Sequence, residues 1–286
     1  MLLPAAGAGP EAPCHTLGVP ELPEVETIRR ALAPRIAGRT VVAAHAHPSP
    51  KFASAVDAIS HRVESVNRRG KYLIAGLDRG RELIVHLGMT GSLRIADDAA
   101  PPDPYVRASW TLDDGCALEL RDIRRFGRIA VVPAGVYDSL PTLHALGPEP
   151  LSDEFDPDTF HRALKASHRP VKTQLMSQRP VAGVGNIYAD EALWRAGVHP
   201  ASRRTSRPQS DRIHSELRSV LGDAIERGGT TLRDYRTFDG DTGRNQEYLE
   251  CYGRAGRPCL RCGTPLRRSV IDQRGTTWCP RCQRRR

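Results

Sequence analysis

No apolar run in this 286-residue chain approaches the roughly 18–20 residues that a bilayer-crossing helix requires. The opening stretch, MLLPAAGAGPEAPCHTLGV, lacks a basic leader region and is interrupted by Pro4, Pro10 and Pro13, which argues against a secretory signal. Acidic residues are nearly missing from the end of the chain: residues 251–286 hold Asp272 alone beside ten arginines. These absences exclude a membrane-spanning helix and a secreted precursor, and leave the reading of a soluble, intracellular, basic protein.

Hydrophobic residues make up 39% and charged residues 26%, enough to fill a real core, so wholesale disorder is excluded. The formal net charge is +9, and residues 251–286 carry all of it. A compact arginine-dense segment is the expected footprint of a phosphate-backbone binder, since guanidinium suits bidentate phosphate recognition. A solubilising or membrane-surface tail is the weaker alternative.

Four of the seven cysteines fall in that segment as two C-x2-C knuckles, Cys259/Cys262 and Cys279/Cys282, sixteen residues apart. Four thiolates close a tetrahedral zinc site with no open position, so one structural Zn2+ is expected, holding the fold without catalysing. Two disulfides are the alternative, disfavoured by an intracellular setting. The stretch TPLRRSVIDQRGTTW reads as two short strands around a turn, a zinc ribbon. Cys14, Cys116 and Cys251 read as plain thiols.

Upstream, Val25, Ile28, Leu32 and Ile36 recur at helical spacing and stop at Gly38. From about residue 40 to 133 short β-type runs alternate with turns such as Asp78-Arg79-Gly80 and Asp113-Asp114-Gly115. From about residue 150 the pattern turns helical: Asp156-Pro157 opens one helix, and Ser210 opens another that stops at Gly228-Gly229. Gly183 and Gly185 feed a helix near Asn186, whose free amides could receive a phosphate. The fold class is therefore α+β with two lobes: an N-terminal β-sandwich with a leading helix, then a helical domain and a zinc ribbon. The expected divisions are an extension (1–19), a sandwich (20–135), a linker (136–149), a helical domain (150–245) and the ribbon (246–286). A cleft between the lobes is the natural place for a site.

PELPEVET (20–27), RRGKYL (68–73), HLGMTGSL (86–93), RRFG (124–127), LGPEPL (146–151), GVGNIYADEALW (183–194), GGTTL (228–232), YGR (252–254) and the ribbon follow one another along the chain. In that order they resemble the successive blocks of the formamidopyrimidine-DNA glycosylase (Fpg/Nei) family, with PELPEVET and the lysine of RRGK closer to its oxidised-purine branch. The resemblance covers residues 20–282. It implies a helix-two-turn-helix architecture for the helical domain, and a cytoplasmic, nucleoid-associated bacterial monomer. Its partner would be double-stranded DNA containing oxidised bases, with no membrane.

The resemblance also implies site residues. Pro20 matches the family's nucleophile, an N-terminal secondary amine that attacks C1′, displaces the base and leaves an iminium from which β,δ-elimination proceeds. Glu21 matches the acid/base carboxylate, Glu24 a supporting carboxylate, and Lys71 the lysine near the lesion. Met89, Arg124 and Phe126 match the residues that fill the stack when a base is flipped. Lys172, Asn186, Tyr252 and Arg274 match contacts to the phosphates around the flipped nucleotide. Read without the family, Met89 and Phe126 suit a core, Arg124 a solvated surface, and Pro20-Glu21 a helix start.

This chain departs from the family pattern in three places. The KHDH stretch is PDPYVR (102–107), which puts Arg107 where a phosphate-contacting histidine stands. The loop after GGTTL has Gly243-Arg244-Asn245 for Gly-Tyr-Phe, which bears on lesion preference. Pro20 is preceded by nineteen residues. Joined to Val19 its nitrogen is a tertiary amide and no nucleophile. A GTG start codon at Val19, read as methionine and trimmed, would expose the amine, so residues 1–19 read as a mis-called start. The leading function is a bifunctional glycosylase/AP lyase. A non-catalytic damaged-DNA-binding paralogue is the alternative if Pro20 is never the N-terminus.

Overall fold

The computed structural model describes residues 19–96, 101–232 and 235–285. The extension up to residue 18, with Cys14, lies outside the described residues. Helix α1 (Leu22–Ile36) starts from Glu21 in extended conformation, with Pro23 in its first turn, where a missing N–H costs nothing. Val25, Ile28, Leu32 and Ile36 form its buried stripe, and Gly38 at φ +83° turns the chain out of it.

Eight strands follow: β1 (Val41–Ala46), β2 (Val63–Arg69), β3 (Tyr72–Leu77), β4 (Arg81–His86), β5 (Gly91–Ile95), β6 (Val106–Leu112), β7 (Ala117–Asp122) and β8 (Arg128–Pro133). They form two antiparallel four-stranded sheets, ordered β1-β6-β7-β5 and β2-β3-β4-β8. Leu73, Ala75, Leu83, Val85, Ile129 and Val131 of one sheet meet Leu93, Trp110, Leu112, Leu118 and Leu120 of the other in one core that also takes the α1 stripe. Two residues from far along the chain, Tyr235 and Phe238, are buried in that core too.

Segment 136–149, expected as a linker, has a packing role. Its short helix α2 (Pro141–His144) brings Leu140 and Leu143 onto Tyr72, Ile74, Ile84 and Val132, covering the outer face of the second sheet. Strand β3 is consequently buried on both faces, which accounts for its unbroken apolar run YLIAGL.

The helical domain holds α3 (Pro157–Lys165), α4 (Val171–Met176), α5 (Asn186–Ala196) and α6 (Arg207–Glu226). Asp156 caps α3 by accepting from Thr159 N at 2.7 Å. Helix α6 begins earlier than expected. Ser206 is its N-cap, Pro208 lies in its first turn, and the Gln209 side chain accepts from Ser206 N at 2.9 Å. Ser210 is inside the helix, buried, and bonded to Thr205 and His161. Leu175, Tyr188, Leu193, Ile213, Leu217 and Leu221 form the second core.

Beyond it, β9 (Arg267–Ile271) and β10 (Arg274–Trp278) pair as a hairpin. Asp272 and Gln273 at its tip both take positive φ, 45° and 62°, as a two-residue hairpin turn of the tightest type demands. Buried Trp194 of α5 packs with Cys251, Cys259, Leu266 and Cys279, which docks the ribbon on the helices.

Candidate functional site

Glu21, at the start of α1, reaches across the lobe boundary to the first turn of α5. Its Oε2 accepts from Gly185 N at 2.6 Å and Tyr188 N at 3.4 Å, and its Oε1 accepts from Ile187 N at 2.8 Å. The amides expected to await a phosphate thus hold a carboxylate of this chain. Amide donors at a helix N-terminus favour the ionised form. Complete burial outweighs them and raises the Glu21 pKa, against the pull of nearby Lys71 and the amide bonds. The approach requires glycine. A Cβ on Gly185 would lie 2.4 Å from Glu21 Cδ and 2.6 Å from Lys71 Nζ.

Glu24, one turn into α1, is equally buried and fully engaged. Oε1 accepts from the Tyr188 hydroxyl at 2.5 Å and Thr230 N at 2.7 Å, and Oε2 from Glu21 N at 2.8 Å. Burial, then the proximity of Glu21, pushes its carboxyl up to about 7 despite these donors. Behind it, Thr230 Oγ1 meets Tyr188 Oη at 2.9 Å and accepts from Asn245 Nδ2 at 2.8 Å. Asn245, one of the residues at which the chain departs from the family pattern, is therefore hydrogen-bonded into the support of Glu24. Asn245 N and Gly243 N bond back to Gly229 O and Thr231 Oγ1, so this stretch folds against residues 229–231.

A cavity of about 260 Å³ opens at the seam. Glu21, Lys71 and His86 line it from the sandwich side, and Asn186, Tyr252 and Arg274 from the other, with Val19 also in its wall. Five of the residues that the sequence singles out meet here. Lys71 is buried, which lowers its pKa, while Glu21 and Glu24 act to hold the charge. His86 is not among those five, although it stands within the HLGMTGSL block. Burial, then Lys71 and Arg128, pushes its imidazole down to about 4. Its Nδ1 accepts from Gly88 N at 3.2 Å, which leaves Nε2–H as the donor of the neutral ring. Pro20 is buried beside Glu21.

Met89, Arg124 and Phe126 stand apart from the cavity, on the β4–β5 and β7–β8 loops. Thr90 ties the loops together: its hydroxyl donates to Asp122 Oδ1 at 2.6 Å and accepts from Arg124 N at 3.1 Å. Arg124 and Phe126 are exposed and Met89 half-buried. The Arg124 guanidinium sits 4.6 Å from the Phe126 ring centroid. An exposed apolar ring held under a guanidinium is suited to stacking on a planar group.

Two of the expected phosphate contacts lie elsewhere. Lys172 is completely buried, with Nζ 2.7 Å from Asp190 Oδ1 and donating to Gly275 O at 3.1 Å and Thr276 Oγ1 at 2.9 Å. It braces β10 against α4 and α5, while Asp190 Oδ2 accepts from Thr277 N at 2.8 Å. Burial pushes Asp190 up to about 7 and Lys172 down. Arg107 is also buried, donating to the carbonyls of Asp122 at 2.8 Å and Pro104 at 2.9 Å. Glu191, unremarked in the sequence, accepts from the amides of Glu250, Cys251 and Tyr252, and so sets Tyr252 at the cavity.

The sulfurs of Cys259, Cys262, Cys279 and Cys282 lie within 4.8 Å of one another, and Cys262 and Cys279 are 3.6 Å apart. A disulfide needs about 2.05 Å. Thiolates about 2.3 Å from a shared tetrahedral zinc would be separated by close to what is observed. The four residues fit one structural zinc ion.

A β-sandwich, a helix-two-turn-helix and a four-cysteine ribbon that meet around buried carboxylates define the helix-two-turn-helix class of DNA glycosylase folds. Residues 19–129 match the formamidopyrimidine-DNA glycosylase N-terminal domain, 146–236 its H2TH domain, and 256–285 the zinc finger found in FPG and IleRS. The chain belongs to the formamidopyrimidine-DNA glycosylase family. It is 44% identical to the formamidopyrimidine-DNA glycosylase of Deinococcus radiodurans, over 93% of this chain and 97% of that one. The crystal structure of MutM (FPG) from Thermus thermophilus superimposes with a TM-score of 0.87 at 44% identity, over 93% of this chain and 100% of that one. A Lactococcus lactis FPG mutant bound to Fapy-dG-containing DNA gives 0.85 at 34% identity, with the same coverage.

Proposed function

We propose that this protein is a DNA glycosylase of base-excision repair that removes oxidised purines, 8-oxoguanine and formamidopyrimidines, and cuts the strand as an AP lyase. The observation that carries this reading is Glu21 at the seam cavity, buried, raised in pKa and facing Lys71. The chemistry starts from Pro20 as a free N-terminal amine, whose ordinary pKa leaves appreciable free base at neutral pH. Its lone pair attacks C1′, the base leaves with the glycosidic electron pair, and the proton shed by the amine neutralises the departing base. Protonated Glu21 gives its proton to the ring oxygen as the sugar opens to an iminium. The resulting carboxylate takes a proton from C2′, expelling the 3′ phosphate, and loss of the C4′ proton in a second elimination expels the 5′ phosphate. Glu24 holds Glu21 N and acts through it. Asn186, Tyr252 and Arg274 engage the phosphates, and Met89, Arg124 and Phe126 occupy the gap left by the flipped nucleotide. Zinc holds the ribbon and supplies no chemistry.

Val19 lines the cavity, so an amine at Pro20 would open onto it. The same observation favours the second reading, a damaged-DNA binder without activity, for chain in which Val19 stays attached. Borohydride trapping separates the two. Protein beginning at Pro20 forms a stable adduct with 8-oxoguanine duplex, and protein retaining residues 1–19 binds the duplex without an adduct at Pro20. Equal trapping by both forms, with mass spectrometry placing the adduct on a lysine, removes Pro20 from the mechanism and makes Lys71 the candidate amine.

A further inference from the structure

A second concave surface of about 610 Å³ lies where the start of α6 meets the second cysteine knuckle. Arg204, Arg212, Arg281 and Arg284 line it, together with Gly197 and Ser206, and no carboxylate does. Arg204, Arg281 and Arg284 are exposed and their side chains have no ion pair or hydrogen bond among the described residues, and Arg212 spends only its Nε, on Ala196 O at 2.9 Å. Asp211, next to Arg212 in the chain, is paired with Arg207 instead, as is Asp158. Four like charges gathered without a counter-charge repel one another and weaken the free fold. A surface of this kind is stabilised by a polyanion.

Its place in the fold separates it from the lesion cavity. Asn186 and Ile187, the first residues of α5, line that cavity, and Gly197, just past the last, lines the basin. The eleven residues of α5 span about 16 Å between them. The ribbon repeats the separation: Gln273 and Arg274 at the hairpin tip reach the cavity, while Arg281 and Arg284 beyond the other end of β10 reach the basin. The arginine-dense segment therefore faces two ways.

We propose that this basin holds the phosphate backbone of a second duplex segment while the seam cavity engages the first. Guanidinium groups present paired donors to phosphate oxygens, and a backbone offers phosphates at regular spacing to several of them at once. A protein with two such faces passes from one duplex to another through a bridged state without first dissociating. The proposal rests on the reading of the seam as a DNA site, and its test is arranged to fail separately from that reading.

The protein is first saturated with an unlabelled lesion duplex, and a labelled plain duplex is then titrated in and followed by anisotropy. The wild type binds the second duplex. In Arg204→Ala/Arg284→Ala that second event weakens about tenfold or more, and its log K against log[salt] flattens by roughly 2. Affinity for the first duplex stays within about twofold of wild type, zinc content is unchanged, and the melting temperature does not fall, since the repulsion is relieved. Arg204→Glu alone gives the same split with the ribbon untouched. Parallel loss of both binding events overturns the proposal by making the basin part of the first interface. Absence of a second event in the wild type overturns it too, as does its displacement by polyglutamate but not by unlabelled duplex. Failure to bind the first duplex would count against the seam site itself.

Discussion

Gly185 donates its amide proton to the Glu21 carboxylate at 2.6 Å across 164 residues of chain, joining the start of one lobe to a helix of the other. The proposed acid/base carboxylate is thus held by the domain opposite to the one that carries it. Gly185→Ala would force a methyl group between Glu21 and Lys71. Displacing a reacting group by about 1 Å costs on the order of a hundredfold in rate. Single-turnover excision should fall by about that much while duplex affinity changes little. A variant with wild-type excision would show that Glu21 need not occupy this position.

Glu24→Gln puts an amide NH2, which cannot accept, where even a neutral carboxyl keeps lone pairs toward the surrounding donors, a loss of about 1–3 kcal/mol. The pH dependence has a definite sign. The folded carboxyl titrates at about 7, above its ordinary 4.5, so its contribution to stability is complete below 4.5 and is lost as pH rises toward 7. Denaturant titrations of wild type and variant should show the wild-type advantage shrinking across that window. An advantage that grows with pH would mean that Glu24 is ionised in the fold.

Purified protein should contain about one zinc per chain, and Cys279→Ser should lose zinc and duplex binding together. Trp194 packs against the cysteine cluster, so its fluorescence reports removal of the metal. Metal-free protein with full affinity would detach the ribbon from DNA binding.

Arg274→Ala should weaken binding to lesion and plain duplex alike, with the salt slope shallower by about 1. Arg124→Ala should instead narrow the discrimination between cytosine and adenine opposite the lesion. Identical behaviour of the two variants would erase the division between a residue that grips phosphate and one that reads a base.

Features with short-range signatures are legible in the amino-acid sequence alone. The α1 stripe, the Asp156-Pro157 cap and the paired knuckles are all written within a few residues of one another. The start of α6 is harder to read, because Ser210 followed by Asp211 also makes a plausible beginning, and only the Gln209 bond to Ser206 decides between them. Lys172, matched in the sequence to a phosphate contact, is closed over by its partner Asp190 and the β10 backbone, and neither neighbour is local in sequence. His86 ends a strand whose alternation gives it no special mark, and its place in the cavity follows from sheet register and lobe docking. The resemblance to the glycosylase blocks points to the residues around the cavity, but not to Glu21 holding the N-terminus of α5.

Tyr235 and Phe238 leave the helical part of the chain and finish the sandwich core, and the Tyr235 hydroxyl bonds to Glu24 O at 3.4 Å and Gly228 O at 3.2 Å. A fragment ending near residue 135 would therefore fold around a hole where two aromatic rings belong. A cut anywhere between the last sandwich strand and Phe238 takes these two rings out of the sandwich core. Heating should melt both lobes in one calorimetric transition.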